Sequence, residues 1–83
     1  MAKSEYPKKT ASFVVRALKA ERERQKISMT QMAARAGLAL ATISFVEREM
    51  RNPTLDTVLR ISEVLGIELG EVISRASKEV SRQ

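Results

Sequence analysis

Between Ser28 and Gly37 the chain spells out both ends of a helix barely two turns long, and this constrains the fold more than any other feature. Ser28-x-x-Gln31 is a capping box: the Ser hydroxyl accepts from the N3 amide, and the Gln side chain reaches back to the amide of the cap. Gly37 closes the segment as a residue that tolerates the left-handed conformation. Met32, Ala33 and Ala36 give the helix its apolar side. Such explicit local instruction is what a chain of 83 residues needs, because a domain this small buries only about 60% of the surface its unfolded form exposes. The alternative support, disulfides, is excluded by the absence of cysteine.

The rest of the chain reads as helices without strands, which predicts an all-α fold of five helices. Residues 1–9 form a polar, basic arm containing Pro7, expected to be flexible. A first helix begins at Thr10 or Ser12 and carries Phe13, Val14, Ala17 and Leu18 on one side through Gln25. After Gly37, Leu38-Ala39 leads into a third helix, Leu40 to Arg48, with Ile43 and Val46 inward. Glu49 to Pro53 is a loop, since Pro53 restricts Asn52 to extended backbone. Thr54 caps a fourth helix whose wide apolar set, Leu55, Val58, Leu59, Ile61, Val64 and Leu65, predicts the most buried helix of the five. Gly66 stops it. A fifth helix runs from Glu68 or Leu69 to Ala76, and residues 77–83 form a polar tail that frays. The domain proper is thus 10–76.

Two short helices joined by a tight glycine turn make a helix-turn-helix unit. Ala33 supplies the small residue where the helices touch, Gly37 the turn, and Leu38, Ile43 and Val46 pin the second helix from beneath. The same geometry also occurs in plain structural hairpins. Charge favours a nucleic-acid role: fifteen Lys+Arg stand against ten Asp+Glu, net +5, a balance that attracts polyanions. Residues 1–26 hold eight basic and three acidic side chains, whereas residues 54–83 hold four and five. The positive field therefore sits at the front of the chain and leaves the back free to self-associate. With no histidine or cysteine, the commonest general base, nucleophile and metal ligands are missing. No enzyme activity, metal or cofactor is expected. No apolar run reaches membrane-spanning length and no signal peptide opens the chain, so a cytoplasmic protein is expected.

The pieces LKAERERQKIS, MAARAGLALATISFVERE and RNPTLDTVLRISEVLGIELGEVI, from Leu18 to Ile73, resemble the lambda-repressor/Cro-like, or xenobiotic-response-element, family of transcriptional regulators. The resemblance implies a five-helix DNA-binding domain whose third helix lies in the major groove of double-stranded DNA. It implies an internal ion pair between Arg22 and Glu47, phosphate contacts from Arg51 and Asn52 with Arg48 as a companion, and further contacts from the starts of the second and third helices: Met29, Thr30, Ala39, Leu40 and Ala41. Thr42, Ser44 and Phe45 complete the outward face of the third helix. Lys8 and Lys9, with Lys3, are expected to reach phosphates from the arm.

Departures from the family pattern shape the expectation. Lys26 stands where the family has Gly, Met29 where it has a polar residue, and Ala39 where it has a capping Ser. The third helix lacks the Arg, Asn and Gln that read bases bidentately until Arg48. Met29, Leu40 and Phe45 would instead form an exposed apolar patch. Three readings remain open for it: contact with thymine methyl groups, a protein partner, or Phe45 folded back onto the scaffold. The function expected is a sequence-specific regulator acting as a homodimer on a palindromic operator, self-associating through Ile67, Leu69, Val72, Ile73 and Ala76. The alternatives are an antitoxin-type regulator with a toxin partner, and a protein-interaction module docking through the apolar helix face. No sensor segment is recognised beyond the fifth helix.

Overall fold

The computed structural model describes residues 5–83 as five helices in the order α1 (Glu5–Arg24), α2 (Met29–Ala36), α3 (Leu40–Glu47), α4 (Leu55–Leu65) and α5 (Leu69–Ser81). Among the described residues there is no strand. The all-α, five-helix expectation therefore holds, and local chemistry explains the bounds of α2 and α4. Ser28 and Gln31 form the reciprocal capping box, at 3.0 and 2.9 Å. Gly37 ends α2 at φ 68°. Thr54 caps α4 by accepting from the Thr57 amide at 3.1 Å, and Gly66 ends it at φ 71°. Ala39 gives α3 no side-chain cap, as its methyl group dictates.

Both ends of the domain differ from the sequence expectation. Residues 5–9 are not a flexible arm; they are the first turn and a half of α1. Pro7 does not break the helix, because the first four amides of a helix have no intrahelical partner and a missing N–H costs nothing there. Lys3 lies outside the described residues. At the other end, α5 continues to Ser81, and Val80 is buried at 2% exposure. The two extensions support each other: the Tyr6 hydroxyl and Ser77 Oγ are hydrogen-bonded at 2.5 Å.

The core runs between all five helices and centres on Leu18, Met32, Ile43, Ile61, Leu65, Leu69, Val72 and Ala76. α5 is packed along α1 and also meets α4. As a result Leu69, Val72 and Ala76, expected to meet a second copy, are 5%, 3% and 0% exposed within the single chain. A small bundle has room to bury this face of its last helix. α4 is the most buried of the five helices, as expected, with Thr57, Val58, Ile61, Ser62 and Leu65 all buried. Its buried face is narrower than its apolar set, since Leu55 and Leu59 are exposed.

Two helix ends carry the left-handed conformation without glycine: Lys26 at φ 58° and Glu49 at φ 57°. At the first, the Ile27 amide donates to the Arg22 carbonyl and the Lys26 amide to that of Glu23, the paired bonds of a Schellman ending. A Cβ in that region is disfavoured by about 1–2 kcal/mol, partly offset by the backbone entropy that glycine loses on folding. Lys26→Gly is therefore expected to stabilise the domain by about 0.5–1 kcal/mol, raising Tm by roughly 2–8 °C. Thermal melting of the two proteins checks it; an unchanged or lowered Tm would show that the lysine carries no backbone cost.

Candidate nucleic-acid interface

α2 and α3 are joined by Gly37, Leu38 and Ala39. Ala33 is buried at 5% where the two helices meet, and Ile43 and Val46, at 0% and 4%, root α3 in the core. The turn is also tied to α4. Arg60 Nη1 donates to the Ala36 carbonyl at 3.3 Å while Arg60 Nε pairs with Asp56 at 2.8 Å. A Cβ built on Gly37 would lie 3.3 Å from that same Nη1. Glycine thus serves both the positive φ and the approach of Arg60. The cation lies at the C-terminus of α2, where the helix dipole favours it.

The end of α3 is fixed to α1 by Arg22 and Glu47. Nε and Nη2 of Arg22 donate to the two carboxylate oxygens at 2.6 and 2.8 Å, and Nη1 donates to the Ile27 carbonyl at 2.7 Å. The Glu47 carboxylate, accepting these bonds, raises the affinity of the guanidinium for its proton above the ordinary arginine range. The pair implied by the family resemblance is therefore present, and it faces inward.

With the scaffold so held, α3 leaves Leu40 and Ala41 exposed and Thr42, Ser44 and Phe45 half-buried. Ala39, at the N-cap, is exposed beside them. Met29 and Thr30, at the start of α2, are exposed too. Arg48 bends back, donating to Ser44 Oγ at 3.4 Å and contacting Met50 Sδ at 2.8 Å. The patch expected of Met29, Leu40 and Phe45 forms only in part. Met29 and Leu40 are 37% and 48% exposed, but Phe45 is half-buried, with the Arg51 guanidinium 4.9 Å from its ring centroid.

The loop after α3 brings Arg51 and Asn52 beside α1. Lys8, Lys9, Ser12 and Arg16 from α1 line one cleft with Glu49, Arg51, Asn52 and Pro53. The loop is anchored there by Glu49: Oε1 accepts from the Ser12 hydroxyl at 2.5 Å, and Oε2 from Arg16 Nε at 3.1 Å. The Ser12 hydroxyl first, then the Arg16 guanidinium and the charges of Arg16 and Lys19, hold the Glu49 carboxyl below the usual carboxylate range. Ser12, Arg16 and Glu49 were not singled out by the sequence, since no local spacing links residues 33 and 37 positions apart. Their contribution is to bring the basic side of α1 and the α3–α4 loop onto one surface. The five residues named for self-association do not converge: Leu69, Val72 and Ala76 are core, Ile67 is half-buried, and Ile73 alone is exposed.

Comparison with known proteins agrees with this construction. The pattern of the family described as Helix-turn-helix matches residues 18–72, from the middle of α1 to α5. The chain is 30% identical over 56 residues to the immunity repressor protein of Bacillus phage phi105. That alignment covers 68% of this chain and 39% of the phage protein, so the chain spans well under half the length of that relative. No solved structure matches the chain. Among the described residues, no helix is long and apolar enough to cross a membrane. The cap, turn and rooted α3, together with the match over two thirds of the chain, show that the protein belongs to the helix-turn-helix family of Cro/repressor-like, DNA-binding transcriptional regulators.

Proposed function

We propose that this domain acts as a homodimer on a double-stranded operator of two-fold symmetry, with α3 in the major groove and Arg51, Asn52, Lys8 and Lys9 on flanking phosphates. The observation that carries the reading is the common surface: Arg51, which lies over Phe45 of α3, also lines a cleft in which basic residues of α1 and of the α3–α4 loop meet. Phosphate contacts of this kind position a reading helix without themselves reading sequence. Bases fall to Leu40, Ala41 and Thr42. These side chains lack the paired donors that recognise guanine, and they present apolar surface that suits the thymine methyl.

Self-association is assigned to a different face from the one expected. Ile73, 41% exposed, lies between two shallow grooves. It shares one with Leu59 and Ile67 and the other with Tyr6, Pro7 and Leu55. Leu55 and Leu59 are 65% and 48% exposed, so the face offers apolar surface that a second copy would cover. The two reading helices would then stand about 34 Å apart, one turn of DNA.

Selection from a random duplex pool, followed by sequencing, tests both parts. The expected product is a pair of inverted half-sites one helical turn apart, rich in A·T pairs under α3. Enrichment of G·C-rich half-sites would overturn the methyl reading. A single unrepeated site would overturn the symmetric dimer. If no duplex is enriched, the exposed Met29 and Leu40 favour a protein partner, such as a toxin, for this surface.

A further inference from the structure

Phe45 stands on the outward side of α3, yet its ring is occupied. Arg51 lies over it at 4.9 Å from the centroid, within the distance at which a guanidinium is attracted to an aromatic face. The chain between them is tightly constrained. The Met50 amide donates to the Phe45 carbonyl at 2.9 Å and the Glu49 amide to the Val46 carbonyl at 3.0 Å, the two bonds of a Schellman ending, with Glu49 left-handed at its corner. The Glu49 carboxylate is in turn bonded to Ser12 and Arg16 on α1. The loop is thus held to α3 through its backbone and to α1 through one side chain. Among the described residues, Arg51 takes part in no ion pair. Its guanidinium thus sits over the ring without a carboxylate partner among these residues.

We propose that Phe45 is a positioning residue for Arg51: the ring seats the guanidinium so that its N–H edge is already directed to a backbone phosphate of bound DNA. The inference rests on the reading of Arg51 as a phosphate contact. Arginine is suited to this double use, because it stacks through its face while donating through its edge. Seating it before binding removes part of the side-chain freedom that would otherwise be lost in the complex. Phe45 then contributes to the affinity for every DNA sequence, and selectivity is left to Leu40, Ala41 and Thr42.

The test compares wild type with Phe45→Leu, Phe45→Trp, Arg51→Gln and the Phe45→Leu/Arg51→Gln double variant, each checked for folding by circular dichroism. In the free protein, the Arg51 side-chain proton resonances should be shifted by the ring current and should return to ordinary positions in Phe45→Leu. Unshifted resonances in wild type overturn the seating without reference to DNA. With DNA, Phe45→Leu should weaken binding about two- to fivefold on the enriched duplex and on an unrelated one alike. Phe45→Trp should restore it, and Phe45→Leu should add nothing in the Arg51→Gln background. The proposal is overturned if the loss is confined to the enriched duplex, adds to that of Arg51→Gln, and is reproduced by replacing thymine with uracil; Phe45 is then a base reader. If wild type binds no duplex while the resonances are shifted, the DNA reading fails, and the phosphate role falls with it.

Discussion

Arg22→Met is expected to lower the stability of the domain by about 3–5 kcal/mol, although the side chain lies on the inward side of α1. The Arg22 and Glu47 side chains are 10% and 11% exposed, and the substitution leaves the Glu47 carboxylate buried without its partner. Breaking a buried pair from one side costs about 3–5 kcal/mol. A chain of 83 residues has about 4–12 kcal/mol of stability in all. The Ile27 carbonyl loses its donor as well. The paired change Arg22→Met/Glu47→Leu should recover most of the loss, because it removes both charges and fills the space with apolar atoms. Urea denaturation followed by circular dichroism separates these outcomes. A single variant within about 1 kcal/mol of wild type would mean that water reaches the pair and that it does not lock α3 to α1.

The second large effect is a contrast between neighbours on α5. Val72→Asp places a carboxylate at a position 3% exposed, in contact with the common core. Burial of a charge without a partner costs several kcal/mol, and the expected product is an unfolded chain. Ile73→Asp, one residue on and 41% exposed, should keep its helical signal and melt within a few degrees of wild type. It should also sediment as a monomer at concentrations where wild type is dimeric. The pair of variants distinguishes the two descriptions of α5. If Val72→Asp gives a folded monomer, that residue belongs to an interface after all. If Ile73→Asp still dimerises, the self-association face lies elsewhere.

The same two residues show where sequence stops being informative. Periodicity counted Ile67, Leu69, Val72, Ile73 and Ala76 as apolar but carried no information on how many neighbours a terminal helix would meet. α1 and α4 cover most of that face, and this is decided by tertiary packing. The start of α1 was hidden for a related reason: Pro7 and the lysines look like a loop, and their helical state is supported by α5, some seventy residues later. By contrast, α2, the turn at Gly37 and both ends of α4 were legible because their caps act within four residues. The Arg22–Glu47 pair came from family resemblance, since nothing local in LKAER or SFVERE declares a partner 25 positions away. The Glu49 anchor was illegible, because Ser12, Arg16 and Glu49 are residue types that ordinarily lie in solvent; Phe45 was legible as apolar, but nothing local shows that Arg51 covers it.

The hydrogen bond between Tyr6 and Ser77 joins positions 71 residues apart, and this has a consequence for the protein as it is made. At roughly 5–20 residues per second, a ribosome needs on the order of 4–14 s to add the α5 residues that cover the first turns of α1. During that interval the caps that bound α2 and α4 are already present in the chain, while Val14 and Phe13 of the nascent α1 lack the surface that later shields them. α3, which has no side-chain cap, depends instead on the core that roots Ile43 and Val46. Newly made chains pass through a stage in which apolar surface near the N-terminus is open to chaperones and proteases.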